Sequence, residues 1–266
     1  MNYRHIYHAG NFADVVKHLV LMLTIEYLQK KDKPFFHLDT HAGIGLYDLA
    51  REEAQKTAEA DEGIATLWDA PDLTPNLVRY LRLVHGCNKG AQLRYYPGSP
   101  HIAQSLLRRG DQMVANELHP VDVQTLADIM GPAKNIRIEN RDGYEAIRAL
   151  LPPPQRRGMI LVDPPFEVRE EFRLMVKGLK EAYARWTGGT YLFWYPIKDP
   201  VHIEMFHEDI KALKIPNIIA IDFYRREPDD VTKLNGAGII AVNPPWTLMK
   251  DLEQDLPQLV HYMTRD

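Results

Sequence analysis

DQMVANELHPVDVQTLADIMGPAKNIRIENRDGYEAIRALLPPPQRRGMILVDPP, Asp111 to Pro165, separates three short apolar runs by two segments of helical period. QMVAN, NIRIE and GMILV have the length and composition of buried strands, and PVDVQTLADIM and YEAIRALL have the spacing of amphipathic helices. Parallel strands need such crossovers, so the rhythm predicts an α/β protein built on a parallel sheet. The pattern extends toward the carboxyl end through a long helix, EVREEFRLMVKGLKEAYARW, and the strands TYLFWYP and IIAIDFY. A last run, GAGIIAVN, follows through a polar loop too short for a crossover helix and is expected to pair antiparallel. Upstream, FFHLD, Phe35 to Asp39, is the first strand, preceded by an amphipathic helix from about Asn11 to Lys30. The core therefore holds seven strands, all but one parallel.

One interval breaks the rhythm. In a dinucleotide-type fold the acid that ends the second strand follows the first by roughly 20 residues, whereas Asp39 and Glu117 are much farther apart. The excess carries helical signals: Thr74 and Pro75 as cap and first position, Leu77, Val78, Leu81 and Val84 on one face, and Gly86 as stop. A small helical insertion over 50–93 is expected, on a core made of 1–49 and 94–266. SPHIAQSLLRRG is a further helix, with Ser99 as cap and Pro100 at its first position, leading into the second strand.

Composition narrows the function. The 266 residues are 45% apolar, with a single cysteine, Cys87, and a formal net charge of -4. No internal disulfide, signal peptide or spanning segment is read, so a cytoplasmic protein, not membrane-embedded, is expected. A negative chain grips nucleic acid only through a local basic patch. Candidates are Arg94 with Arg108 and Arg109, Arg156 with Arg157, and Arg225 with Arg226; solvated surface accounts for them as well.

Acids close four strands in succession: Asp39, Glu117, Asp142 and Asp163. Ligands of open parallel sheets bind at such strand ends, although each acid alone is explained by a helix N-cap. After Asp39, THAGIG places Gly43 and Gly45 where the strand is expected to turn into a helix and let a ligand approach the backbone; a tight turn explains a lone G-x-G equally well. Asp48 occupies the position where a dinucleotide fingerprint needs a small residue, which disfavours NAD. Glu117 suits ribose hydroxyls, and Asp142-Gly143 an adenine edge. Carboxylates suit ammonium and sulfonium charges better than a pyrophosphate, which points to S-adenosylmethionine.

LVDPPFE, Leu161 to Glu167, has the chemistry to methylate an exocyclic amine. Asp163 supplies a carboxylate and Pro164 a carbonyl, each accepting one N–H and localising the nitrogen lone pair, while Phe166 stacks on the base. The turn names the reaction class and not the base, and a rigid corner explains it too. A similar turn, Asn243-Pro244-Pro245-Trp246, closes the antiparallel strand and is read as a structural corner. His5, His8 and His18 do not complete a metal-ligand spacing, so no metal is expected.

YRHIYHAGNFADVVKH, LDTHAGIG, LRYYPGSP, ELHP, LVDPPFE and GIIAVNPPW together resemble the bacterial RlmJ family of 23S ribosomal RNA adenine-N6 methyltransferases, from Tyr3 to about Leu259. The resemblance implies a Rossmann-like class I S-adenosylmethionine-dependent methyltransferase, active in rRNA methylation and processing, with a helical insertion and catalysis by Asp163. By position it implies that Lys17, His18, Ser99, Glu117, Asp142 and Gly143 contact the cofactor and that Tyr3 and His5 lie near the target adenine. The family commonly has tyrosine where this chain has Phe166. The expected partner is 23S rRNA and the expected state a monomer. Two other classes stay open: a nucleic-acid-binding protein concerned with use of external DNA, and a small-molecule amine methyltransferase.

Overall fold

Apolar runs become strands because each is long enough to cross a core and too short to form a helix. In the computed structural model, which describes residues 4–264, the chain enters through a 3-10 turn, His5–Tyr7, helix α1 (Phe12–Gln29) and strand β1 (Phe36–Asp39). Then come β2 (Leu46–Asp48), α2 (Glu52–Thr57), a second 3-10 turn (Glu59–Glu62), α3 (Ile64–Leu67), α4 (Pro75–Gly86) and β3 (Tyr95–Pro97). The alternating part follows: α5 (Ser99–Leu106), β4 (Gln112–Asn116), α6 (Pro120–Met130), β5 (Ile136–Glu139), α7 (Gly143–Leu150) and β6 (Gly158–Val162). It ends with α8 (Glu171–Arg185), β7 (Thr190–Ile197), α9 (Pro200–Ala212), β8 (Ile218–Tyr224), β9 (Gly236–Val242) and α10 (Leu248–Met263).

Seven strands form one sheet in the order β5-β4-β1-β6-β7-β9-β8. β1 is parallel to both its neighbours, β4 and β6, and β9 alone is reversed, against β7 and β8. The reversal follows from the loop after Tyr224, which carries no helix to return the chain. GMILV in β6 is buried at every position because both sheet faces are covered. Side chains of α1, α5, α6 and α10 pack on one face, and those of α7, α8 and α9 on the other.

α1 is almost entirely inside. Val15, Val16, Leu19, Val20, Met22 and Ile25 are fully buried, each worth roughly 1.5–3 kcal/mol of apolar burial. Its packing carries Asp14, Lys17 and His18 inside too, where polar groups need partners.

Three local expectations are corrected. The chain does not enter a helix after Gly45: it forms β2, which pairs antiparallel with β3, and α5 makes the crossover into β4. Ser99 is the first helical residue and Gly98 the N-cap; a Cβ at Gly98 would stand 3.1 Å from the Tyr47 ring and 3.3 Å from the Gly45 carbonyl oxygen. Gly86 lies inside α4, with Cys87 at its C-cap.

Each arginine group contains a structural tie. Arg108 binds the fully buried Asp111 carboxylate through Nε (2.9 Å) and Nη2 (3.0 Å), and its guanidinium also reaches the carbonyls of Gln29, Lys31 and Lys33. Arg157 donates to the Leu28 and Lys33 carbonyls, Arg225 to Glu62 and the Met263 carbonyl, and Arg94 to Asp48. These side chains tie the end of α1 and the residues before β1 to later elements, and Glu62 to the end of α10, which a sequence spacing does not reveal.

Asn243 is a corner, as expected. Its backbone has φ 49° and its amide donates to the carbonyls of Thr187 (2.9 Å) and Gly189 (2.8 Å). The register of Val242 against Tyr191, near the start of β7, puts it at the sheet edge opposite Asp163. Arg108→Met leaves the Asp111 carboxylate buried without its counter-ion, so stability in urea is expected to fall by about 2–3 kcal/mol. An unchanged unfolding midpoint would show that the tie contributes nothing.

Candidate active site

Parallel strands bring their carboxyl ends to one edge, and the four acids at or just after the ends of β5, β4, β1 and β6 gather there. The sheet order reverses between β1 and β6, a crevice where ligands of such folds bind. A cavity of about 390 Å³ opens there. Of the expected site residues, His5, Lys17, His18, Gly43, Ser99, Glu117, Asp142, Asp163 and Pro164 border it. Asp39, Gly45, Gly143 and Phe166 do not, and Tyr3 lies outside the described residues.

Gly43 and Glu117 are held together. The Gly43 N–H donates to Glu117 Oε2 at 2.8 Å, from a backbone with φ 61° that only glycine adopts freely. Glu117 Oε1 accepts the His119 N–H at 2.8 Å. Burial pushes the Glu117 carboxyl up, against these two hydrogen bonds, and its geometry is set before any ligand arrives. Asp142 Oδ1 caps α7 by accepting the Glu145 N–H at 3.0 Å, so a structural role coexists with its place at the cavity. Behind it, Gly143 leaves room for the His41 ring, which a Cβ would approach to 2.6 Å.

Asp39 lies beneath the cavity floor, fully buried, and neither of its oxygens has a hydrogen bond of normal geometry. Burial pushes it up to about 7, opposed by the nearby Ser99 hydroxyl and Lys17 and reinforced by the Asp163 charge. His18 is held neutral: burial pulls it down to about 3, its Nδ1 meets the Tyr96 hydroxyl at 2.8 Å, and its buried Nε2, 4.0 Å from Asp14 Oδ1, makes no hydrogen bond. Tyr96 in turn meets the Tyr80 hydroxyl of α4 at 2.8 Å.

The centre of the site is a chain of charges. Lys17 Nζ stands 2.7 Å from Asp14 Oδ1 and 2.5 Å from Asp163 Oδ2. Asp14 Oδ2 also meets His5 Nε2 and the Gly10 N–H, each at 2.9 Å. Burial alone would lower Lys17, yet the two carboxylates raise it. Lys17 thus sits on Asp163. Sequence reasoning missed Asp14, although an acid three positions before Lys17 in an otherwise apolar helix is a readable signal. It also missed Tyr144 and Glu171, whose side chains meet at 2.8 Å at the cavity wall, because α7 and α8 converge only in the fold. Phe166 has φ 52° and packs edge-on against Phe172 (5.1 Å) and Trp194 (6.0 Å).

The carboxylates of Asp142 and Asp163 at the cavity, the diol-spaced carboxylate of Glu117 and the glycine turn fit a cofactor that carries ammonium, sulfonium and ribose groups. Among the described residues no three His, Cys, Asp or Glu side chains converge as a metal site requires, and no helix is long and apolar enough to cross a membrane.

Strand order, single reversed strand and acidic edge define a class I, Rossmann-like S-adenosylmethionine-dependent methyltransferase. Similarity to known proteins narrows the class. The chain belongs to the family described as "RsmJ: Ribosomal RNA large subunit methyltransferase D, RlmJ", whose model matches residues 32–266. It is 41% identical over 260 residues to the Ribosomal RNA large subunit methyltransferase J of Haemophilus influenzae and 43% identical over 259 residues to that of Escherichia coli. Each match covers 97% of this chain and 92% of the relative. A solved structure from Legionella pneumophila is 35% identical, with a TM-score of 0.89 over 96% of this chain and 94% of the other.

Two outcomes are expected. The raised Asp39 carboxyl contributes stability that is complete below the ordinary carboxylate range, about 4, and is lost as pH rises through about 7. Urea unfolding of the cofactor-free protein between pH 5 and 8 should therefore show Asp39→Asn with the flatter or more upward slope; identical slopes would mean that Asp39 is ionised throughout. Glu117→Ala should weaken S-adenosylmethionine binding by about 1.5–3 kcal/mol in calorimetry, and unchanged affinity in a folded variant removes Glu117 from the site.

Proposed function

We propose that this protein transfers the methyl group of S-adenosylmethionine to the N6 amine of an adenine in 23S ribosomal RNA. The observation that carries the reading is Asp163, at the carboxyl end of β6, with its Oδ2 on Lys17 and the Pro164 backbone beside it at the cavity. Membership of the family and the printed names of its relatives support RNA as the substrate.

S-adenosylmethionine supplies an electrophilic methyl group when bound. The chain's own residues do the rest. Asp163 accepts one N–H of the amine and the Pro164 carbonyl accepts the other, which draws the lone pair out of conjugation and aims it at the methyl group. Proline lacks an N–H and fixes its own φ, so the turn offers acceptors in a fixed array. Positive charge growing on nitrogen meets the Asp163 carboxylate. Glu117 and Asp142 are assigned to the ribose and adenine of the cofactor, Gly43 and Ser99 to its close approach, and Asp39 to its charged end through the floor. Because Phe166 packs against Phe172 and Trp194, we assign it to the back of the base pocket, reached when a nucleotide leaves its stack.

Residues 50–93 are read as a helical insertion on a core of 1–49 and 94–266. Antiparallel pairing of β2 with β3 across its two ends supports that division.

Purified protein with labelled S-adenosylmethionine should label protein-free 23S RNA or large subunits at one adenine, and DNA far less. Equal labelling of DNA, or of small amines alone, would overturn the substrate. Asp163→Asn keeps the shape and loses the charge, so single-turnover methylation should fall by roughly 100-fold or more, with little change in cofactor affinity. Near-normal chemistry in Asp163→Asn, with collapse in a folded Asn243→Ala, would mean that the other turn carries the reaction.

A further inference from the structure

Asp14 is a buried carboxylate that no part of the reaction above uses, and it touches the machinery at three points. Its Oδ1 takes the Lys17 ammonium at 2.7 Å, its Oδ2 takes His5 Nε2 and the Gly10 N–H, both at 2.9 Å, and Asn11 Oδ1 caps the Asp14 N–H at 2.9 Å. The residue is 2% exposed. A helix-capping role needs none of the side-chain contacts, and a packing role needs no charge.

Lys17 poses a problem that Asp14 solves. An ammonium 2.5 Å from Asp163 satisfies the carboxylate that has to accept the substrate amine and stabilise its growing positive charge. Paired with Lys17 alone, Asp163 would present an almost neutral ion pair to the amine. Two carboxylates share the one ammonium, so Asp163 does not bear the whole of the Lys17 charge, and its unshared oxygen stays a strong acceptor. Asp14 also fixes where Lys17 stands, because the cation is drawn to both carboxylates and settles between them. The same carboxylate draws His5 of the amino-terminal turn onto the helix that carries Lys17.

We infer that Asp14 is a positioning residue for methyl transfer, dividing the Lys17 charge with Asp163 and holding the His5 turn to the same point. Although burial on its own pushes the Asp14 carboxyl up, the His5 ring that meets it and the Lys17 ammonium outweigh it and hold Asp14 well below the usual carboxylate range. It is therefore ionised throughout the working pH range, as charge sharing requires. The other titratable groups near Lys17 are Asp163, the neutral His18 at the next position of α1, and Asp39 from β1. None of them replaces the second carboxylate contact.

The inference rests on the reading of Asp163 as the acceptor of the amine, and the two fail separately: Asp163→Asn, measured alongside, tests that reading without involving Asp14. In single-turnover methylation of 23S RNA, Asp14→Asn is expected to be at least 10-fold slower than the unaltered protein, with dissociation constants for S-adenosylmethionine and RNA changed less than 3-fold. Asp14→Glu keeps the charge on a longer arm and should fall between, at least 3-fold above Asp14→Asn and at least 3-fold below the unaltered rate. A folded Asp14→Asn within 2-fold of the unaltered rate overturns the inference. So does a loss of cofactor affinity that matches the loss of rate, since that is the mark of a merely structural role, or an Asp14→Glu rate no better than that of Asp14→Asn. Should Asp14→Asn not fold, Asp14→Glu decides alone: an unaltered rate, or a parallel loss of affinity, overturns the inference.

Discussion

β1 lies between β4 and β6 and runs parallel to both, a four-residue strand on which the arrangement of the molecule turns. Parallel pairing on both sides forces the chain to leave and return through helices, and it sends one sequence of neighbours left of β1 and another right. The crevice at the carboxyl ends of β1 and β6 that results is where Asp39 and Asp163 come close enough for each charge to be felt by the other. α1, packed against β7 and β9, delivers Lys17 to Asp163 at the end of β6. Burial is what makes the chemistry available: a surface lysine beside a surface aspartate would be solvated and nearly inert, whereas here the ion pairs are enclosed and their geometry is fixed.

The two Pro-Pro turns show how little local chemistry decides on its own. Asp163 and Asn243 each close an apolar strand and precede two prolines and an aromatic ring. Strand direction separates them. β6 ends at the ligand edge and β9, running the other way, ends at the far edge, where the Asn243 amide is spent on the carbonyls of Thr187 and Gly189. Asp163 stands at the cavity because its strand is parallel.

Strands were legible in the sequence where apolar runs were continuous: GMILV and IIAIDFY coincide with β6 and β8, and QMVAN with β4. β2 and β3 were not, because three residues carry no period and their pairing spans the whole insertion. The acidic edge was legible since each acid terminates a run. What the acids touch was not: Lys17 meets Asp163 across most of the sheet's sequence, and Arg108, Arg157 and Arg225 look like a basic surface until their carbonyl and carboxylate partners appear. Sequence marks the groups that must be satisfied, and topology chooses their partners.

Peripheral in chain order, the segment 50–93 is central in burial. Leu77, Tyr80 and Val84 of α4 are fully enclosed in the same apolar cluster as α1. Tyr80 also continues, through Tyr96, to the Nδ1 of His18 at the cavity. A displacement of α4 is thereby a displacement of the helix that carries Lys17 and a rearrangement of the hydroxyl pair behind His18. α4 is joined to the cavity by two connections, one apolar and one hydrogen-bonded, without bordering it.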